Sequence, residues 1–272
     1  MITATELHEF WRDGVVCLRG VLSPEVLDAM AEPVEAAIGS TDSADLSAIA
    51  GAPGSSPRFV AGVDHWRHDP RLRDFAFHSA LPATVAALLR SSSVFLYEDS
   101  VLVKEPGAAE ATQWHQDLGY FHVDGTQMCT TWCPLDPADE NTGAMRFARG
   151  SHLRPEVYRP NLFVTTEPIP GTEGELVPDV DAGDYDIISF ALAPGDITVH
   201  HARTLHAAGP NRSTERRRRA ISVRYCGDDA RVRMRAGAPV KPEQAALRDG
   251  DPLGDPAHPQ VWPADSGTTA RA

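Results

Sequence analysis

Residues 113–121 read "QWHQDLGYF". Along a β-strand, side chains two apart share a face, so His115 and Asp117 project together from a sheet edge if this stretch is extended. Such a pair is either a core histidine with a turn acid or two ligands of one metal, and the surroundings decide. The flanks are β-rich: "VFLYEDSVLVKEP" (94–106), "MCTTWCPL" (128–135), "AMRFARGSH" (144–152), "DIISFALAPGDITVHH" (186–201) and "RAISVRYCG" (219–227). These are short runs bounded by Gly, Pro, Asn and Asp, the pattern of a sandwich or jelly roll.

The N-terminal third has a helical character. Thr3 and Glu6 in "TATE" form a capping box ahead of Leu7, Phe10 and Trp11 at helical spacing, with a stop at Gly14. "VVCLRGVL" (15–22) reads as a strand, and Ser23-Pro24 opens a helix expected to run to Ile38 and end at Gly39. A third helix is expected from Pro70 to Leu89, and 40–57, rich in Ser, Gly, Ala and Pro, is expected to be a mobile loop. The chain thus divides into a helical support region (1–90), a β core (91–228) with a long Pro-rich excursion at 155–183, and an extended C-terminal tail (229–272). The fold class is mainly β with flanking α-helices.

With 272 residues the chain is long enough for one large domain with a full core. No apolar run approaches the length of a membrane span and the N-terminus lacks a signal-peptide pattern, so no membrane partner is expected and a cytoplasmic location is the default. A net charge of -13 disfavours nucleic acid, whose phosphates need a positive field. Cys17, Cys129, Cys133 and Cys226 are too scattered for a disulfide framework and are expected as reduced thiols; no metal is read at the Cys129/Cys133 pair. The "RRRR" at 216–219 has an ordinary reading as a solvated basic turn for most of its members.

What raises the metal reading of His115 and Asp117 is a segment about 90 residues on, "PGDITVHHARTLHAAGPNRSTERRRRAISVRY" (194–225), with three histidines and a strand that begins in arginine. Two imidazoles and one carboxylate on one face of an iron leave three open positions, the arrangement of non-haem Fe(II) oxygenases. A 2-oxo dicarboxylate chelating that iron would leave its far carboxylate in a buried slot, which calls for a charge-assisted, bidentate partner. Alternation sends Arg218, Ala220, Ser222 and Arg224 to one face of the last strand and Arg217, Arg219, Ile221 and Val223 to the other. Alternation does not say which face is inward.

Three ordered motifs, "WHQDLGYF" (114–121), "ENTGAMRFARGSH" (140–152) and "LHAAGPNRS…RRAISVRY" (205–225), resemble the phytanoyl-CoA dioxygenase family of Fe(II)- and 2-oxoglutarate-dependent oxygenases over roughly residues 10–228. The resemblance implies a double-stranded β-helix, a jelly-roll relative of the cupins, with N-terminal helices in support. It places the metal ligands on His115, Asp117 and His206 and the cosubstrate's arginine on Arg218, and it selects that face as inward. It also puts Lys104 and Trp132 beside the cosubstrate. The implied cofactors are Fe(II), 2-oxoglutarate and O2, with succinate and CO2 as coproducts. Related halogenases lack the carboxylate; Asp117 is present, so hydroxylation or another oxidative outcome is expected over halogenation, with desaturation, epoxidation or ring formation needing only a different substrate pose.

Of the other histidines, His201 is expected in packing, His200 facing the opposite way from it, His122 and His152 as hydrogen-bonded loop and turn residues, and His65 and His68 at the surface or in a lid. Tyr120, Phe121 and the 155–183 excursion are the expected contacts for a small-molecule substrate: a small acid, an amino acid or a natural-product intermediate. Two other readings use the same residues. A cupin-like isomerase or lyase would dispense with 2-oxoglutarate and make no succinate; a binding protein on the same fold would not hold ferrous iron.

Overall fold

The structure is a computed structural model that describes residues 1–49 and 57–263. The N-terminal region contributes α1 (Ala4–Asp13), β1 (Val15–Leu18), α2 (Pro24–Ala29), α3 (Ala31–Ile38), β2 (Ser43–Asp45), β3 (Phe59–Val63), α4 (Pro70–His78) and α5 (Leu81–Leu89). Then come β4 (Val94–Lys104), β5 (Thr112–His115), β6 (Val123–Asp124), β7 (Met128–Pro134), β8 (Met145–Ala148), β9 (Ile187–Ser189), β10 (Ile197–His201), β11 (His206–Ala208), β12 (Arg218–Cys226), β13 (Arg231–Val232) and β14 (Gln260–Trp262). The major sheet runs β1-β10-β7-β12-β4-β3-β2, with β14 also on β4; the minor sheet runs β5-β11-β8-β9; every pairing is antiparallel. The two sheets face each other in the jelly roll expected from the sequence, and among the described residues no helix is long and apolar enough to cross a membrane.

The helices cover the outer face of the major sheet. Phe10, Val34, Leu72, Leu81, Val85 and Leu88 pack there against Val101, Val103, Val199, Ile221 and Val223. The capping box at Thr3 and Glu6 is present, and the helix ends at Gly14 in a left-handed conformation (φ 78°). Two expected helices are each broken in two. The first stops at Ala29 and restarts at Ala31, because Pro33 has no N–H for the carbonyl of residue 29 and its ring crowds that oxygen. Pro82 acts in the same way on residue 78, and the chain turns at Ser79-Ala80 between α4 and α5. Part of the expected 40–57 loop is ordered, since β2 pairs with β3; residues 50–56 lie outside the described residues.

The arginine run is also more engaged than a solvated turn. Arg216 pairs with Asp139, Arg217 with Glu35 and Glu105, and Arg219 with Asp136. These pairs tie α3 and the loop after β7 to the edge of β12. The tail is not loose extended chain. Lys241 pairs with Glu98 at 2.5 Å and Asp64 at 2.7 Å, Leu253, Ala257 and Val261 are buried, and β14 lies along β4. Along β4 and β12 the register shifts between Arg224 and Tyr225, so that Arg224 stands opposite Glu98 and Tyr225 opposite Leu96. This bulge resets the alternation and turns both Tyr97 and Glu98 toward the interior.

Candidate metal centre

β5 and β11 run antiparallel with His115 directly opposite His206, so the two imidazoles leave the same face side by side, ring centres 4.1 Å apart. Asp117 joins them from a different element than expected: β5 ends at His115, and Asp117 opens a 3-10 turn running to Tyr120. One ligand atom from each of the three residues lies within 4.8 Å of the others, and all three are buried. His115 Nδ1 donates to the Gln113 carbonyl (2.7 Å) and His206 Nδ1 to the Thr204 carbonyl (2.9 Å). A carbonyl only accepts, so these bonds fix the tautomers and leave the two Nε2 lone pairs facing Asp117 Oδ1 at 3.9 and 3.7 Å.

The second carboxylate oxygen is already occupied. Asp117 Oδ2 accepts from the Thr130 hydroxyl at 2.5 Å and from His200 Nε2 at 3.2 Å. Both donors come from the opposite sheet, and they hold the carboxylate so that one oxygen is presented for a metal. Burial pushes the imidazoles down, to about 3 at His115 and about 4 at His206, so both are neutral at pH 7 as ligation requires. Burial drives the Asp117 carboxyl up, yet His206, the His200 hydrogen bond and Arg224 outweigh it and hold it well below the usual carboxylate range. The donor set of two neutral imidazoles and one anionic carboxylate fits a divalent iron.

Arg218, Ser222 and Arg224 face the same interior as His115 and His206. Arg218 is 1% exposed, its Nε has no hydrogen-bond partner among the described residues, and burial lowers it to about 10. Lys104 stands opposite it in the β4–β12 register, fully buried, donating to the Gly209 carbonyl at 2.6 Å and lying 4.5 Å over the Phe59 ring. Trp132 lies 5.6 Å from the Arg218 guanidinium. Burial and the neighbouring Arg218 push the Lys104 ammonium well below the ordinary lysine range, and two adjacent buried basic groups with so few acceptors suit an anion that would restore the charge.

A cavity of about 400 Å³ opens on the other side of His115 and Asp117, and both Tyr120 and Phe121 line it. The 155–183 excursion reaches it through Phe163, whose ring meets His115 edge-on at 5.2 Å and whose backbone is left-handed (φ 67°). That conformation is strained for a phenylalanine; the Gln113 amide donating to its carbonyl (2.8 Å) and the Asn161 side chain accepting from its N–H hold it there. His201 packs against Phe10, Trp11 and His152, as expected. His122 and His152 are hydrogen-bonded to the carbonyls of Pro239 and Trp11. His65 departs from its expected surface place: it is 3% exposed, against Ser43. Thr130, His200, Phe163 and Arg224 were not singled out as site residues by the sequence.

A model of the phytanoyl-CoA dioxygenase family matches residues 10–220. The chain belongs to this family. A probable alpha-ketoglutarate-dependent hypophosphite dioxygenase of Stutzerimonas stutzeri is 32% identical over 51% of this chain and 47% of its own length. The chain therefore spans about half of that relative. A 1-deoxypentalenic acid 11-beta-hydroxylase of Streptomyces arenae is 28% identical over 74% of this chain and 72% of its own. Among solved structures, SnoN, a non-heme alpha ketoglutarate dependent epimerase from nogalamycin biosynthesis, superposes with a TM-score of 0.73 at 26% identity, over 94% of this chain and 97% of its own. The carbocyclase SnoK, at 23% identity, shares the fold with a TM-score of 0.77 over 96% of each chain.

Proposed function

We propose that this member of the phytanoyl-CoA dioxygenase family is an Fe(II)- and 2-oxoglutarate-dependent oxygenase that hydroxylates a small organic molecule, with succinate and CO2 as coproducts. The observation that carries the reading is the pair of fixed tautomers at His115 and His206, whose Nε2 atoms converge on a single oxygen of Asp117 while the Arg218 Nε has no partner among the described residues of the same interior. His115, Asp117 and His206 would hold the iron. Bound there with 2-oxoglutarate, the metal supplies O2 activation coupled to decarboxylation of the cosubstrate.

The remaining work belongs to the chain. Arg218 and Lys104 bind the far carboxylate of 2-oxoglutarate, and Trp132 packs beside it. Thr130 and His200 hold the second Asp117 oxygen in hydrogen bonds, so that the carboxylate would offer the iron a single oxygen. Tyr120, Phe121 and Phe163 form the wall against which a substrate carbon is held near the metal, away from water. The 1-deoxypentalenic acid hydroxylase among the relatives supports hydroxylation. The epimerase and the carbocyclase carry other reactions on this fold, so the product must be identified directly.

The test is 2-oxoglutarate turnover by the chain loaded anaerobically with Fe(II) and then exposed to air. Succinate from the native chain, lost in Asp117→Ala and Arg218→Ala, is the expected result. Iron bound with no succinate across a broad substrate panel would overturn the reading in favour of metal chemistry without the cosubstrate.

A further inference from the structure

Arg224 is a second interior cation that the cosubstrate slot does not absorb. It lies on the same face of β12 as Arg218 but six residues on, roughly 20 Å along the strand. Arg224 borders the interior that holds Arg218 and, unlike Arg218, also lines the 400 Å³ cavity beside His115 and Asp117. Its side chain is 11% exposed, and its only side-chain hydrogen bond among the described residues runs from Nη1 to the Ser100 hydroxyl at 2.5 Å. Its Nε has no hydrogen-bond partner among the described residues. Glu98 is its ion-pair partner, Oε1 standing 3.7 Å from Nε without a hydrogen bond, and that carboxylate is shared with Lys241, which holds Oε2 at 2.5 Å. A guanidinium has five donors, and burying one with a single acceptor is costly unless a ligand completes it.

The other charges facing this cavity are Asp117 and two acids, Glu98 and Asp42. Asp117 is engaged by Thr130 and His200, Glu98 by Lys241, and Asp42 stands at the rim with its side chain 44% exposed to solvent. The rest of the wall is largely apolar, with Leu46, Leu102, Phe121 and Phe163 among its residues. A cavity of this size with an apolar wall and one incompletely bonded cation fits a compact hydrocarbon carrying one anionic group.

We propose that Arg224 receives the carboxylate of the organic substrate, so that this enzyme acts on an apolar monocarboxylic acid held with its hydrocarbon body against Phe121 and Phe163. The proposal deepens the oxygenase reading and rests on it for the position of the reacting carbon. The aim of the anionic group fixes which carbon meets the metal, so Arg224 is a specificity-determining residue.

The test uses two probes with one hydrocarbon cage, adamantane-1-carboxylate and adamantane-1-carboxamide, titrated by calorimetry into the full chain loaded with Fe(II) and 2-oxoglutarate under argon. The native chain should bind the acid at least tenfold more tightly than the amide. Arg224→Gln should erase that preference, Arg224→Lys should keep part of it, and Glu98→Gln should strengthen it, an opposite sign that a folding defect does not produce. Equal binding of both probes by the native chain, binding of neither, or a preference that survives Arg224→Gln would each overturn the proposal; the last would place the acid on the metal. Succinate formation is measured separately. Succinate without the acid preference sinks only this proposal, whereas the preference without succinate sinks the oxygenase reading and leaves an acid-binding cavity.

Discussion

Thr130 donates to the oxygen of Asp117 that a metal does not need, and that makes it a sensitive position. Thr130→Val keeps the shape and removes the donor, freeing the carboxylate to rotate. Partners of this kind typically contribute 10–100-fold in metal affinity, so the Fe(II) Kd of the variant should rise by roughly that factor in an anaerobic competition titration. Arg218→Gln removes the charge from the slot proposed for the cosubstrate. At about 1.5–3 kcal/mol for a hydrogen bond to a charged group, the KM for 2-oxoglutarate should rise roughly ten- to a hundredfold, with Arg218→Lys intermediate. His115 and Asp117 were legible because they are two apart on a stretch with a strand flank, and His206 through the motif order. His200 was not. Its spacing says only that it faces away from His201, and which of the two points inward is decided by the pairing of β10 with β7, a long-range fact absent from local pattern. Arg224 was on the correct face by alternation, but that it shares Glu98 with Lys241 of the tail is a long-range fact.

At the scale of the element, the motif "NTGAM" has a geometric reason that its residues alone do not give. Gly143 ends the 3-10 turn Glu140–Thr142 in a left-handed conformation (φ 80°), and a Cβ on it would sit 2.5 Å from the Gly209 carbonyl, the acceptor for Lys104. Gly143→Ala costs roughly 1–2 kcal/mol from the backbone conformation alone, and the collision adds to it. Tm should fall by several degrees, at about 2–4 °C per kcal/mol for a chain this size, and the KM for 2-oxoglutarate should rise because the Lys104 acceptor is displaced. The helices show the reverse situation. Pro33 and Pro82 were visible in the sequence and carry the breaks after α2 and α4; apolar periodicity read across them joined what their missing N–H groups separate.

For the molecule as a whole, one buried carboxyl sets a pH dependence of stability. Asp99 lies on the helix-facing side of β4, its Oδ2 accepting the Trp66 amide at 3.1 Å and its Oδ1 without a partner among the described residues. Burial, with Asp64 and Glu98 adding to it against the Trp66 amide and Arg224, pushes it up to about 7 from an ordinary 3.8. A carboxyl raised on folding takes up a proton as the chain folds, so its stabilising contribution is full below the unfolded value and is lost as pH rises to about 7. The slope is at most about 1.4 kcal/mol per pH unit. Asp99→Asn keeps the acceptor for Trp66 and removes the proton, so urea midpoints at pH 5 and pH 8 should differ less in the variant than in the native chain. β4 is also where distant parts of the chain converge: one flank pairs with β12, and the other is shared by β3 and β14. At roughly 5–20 residues per second, a ribosome takes on the order of ten to thirty seconds between finishing β4 and finishing β14. Through that interval the backbone around Phe95 lacks first both Cys226 of β12 and Gln260 of β14 and then Gln260 alone, so the nascent chain carries an unpaired strand end that a neighbouring polypeptide on the same message can capture.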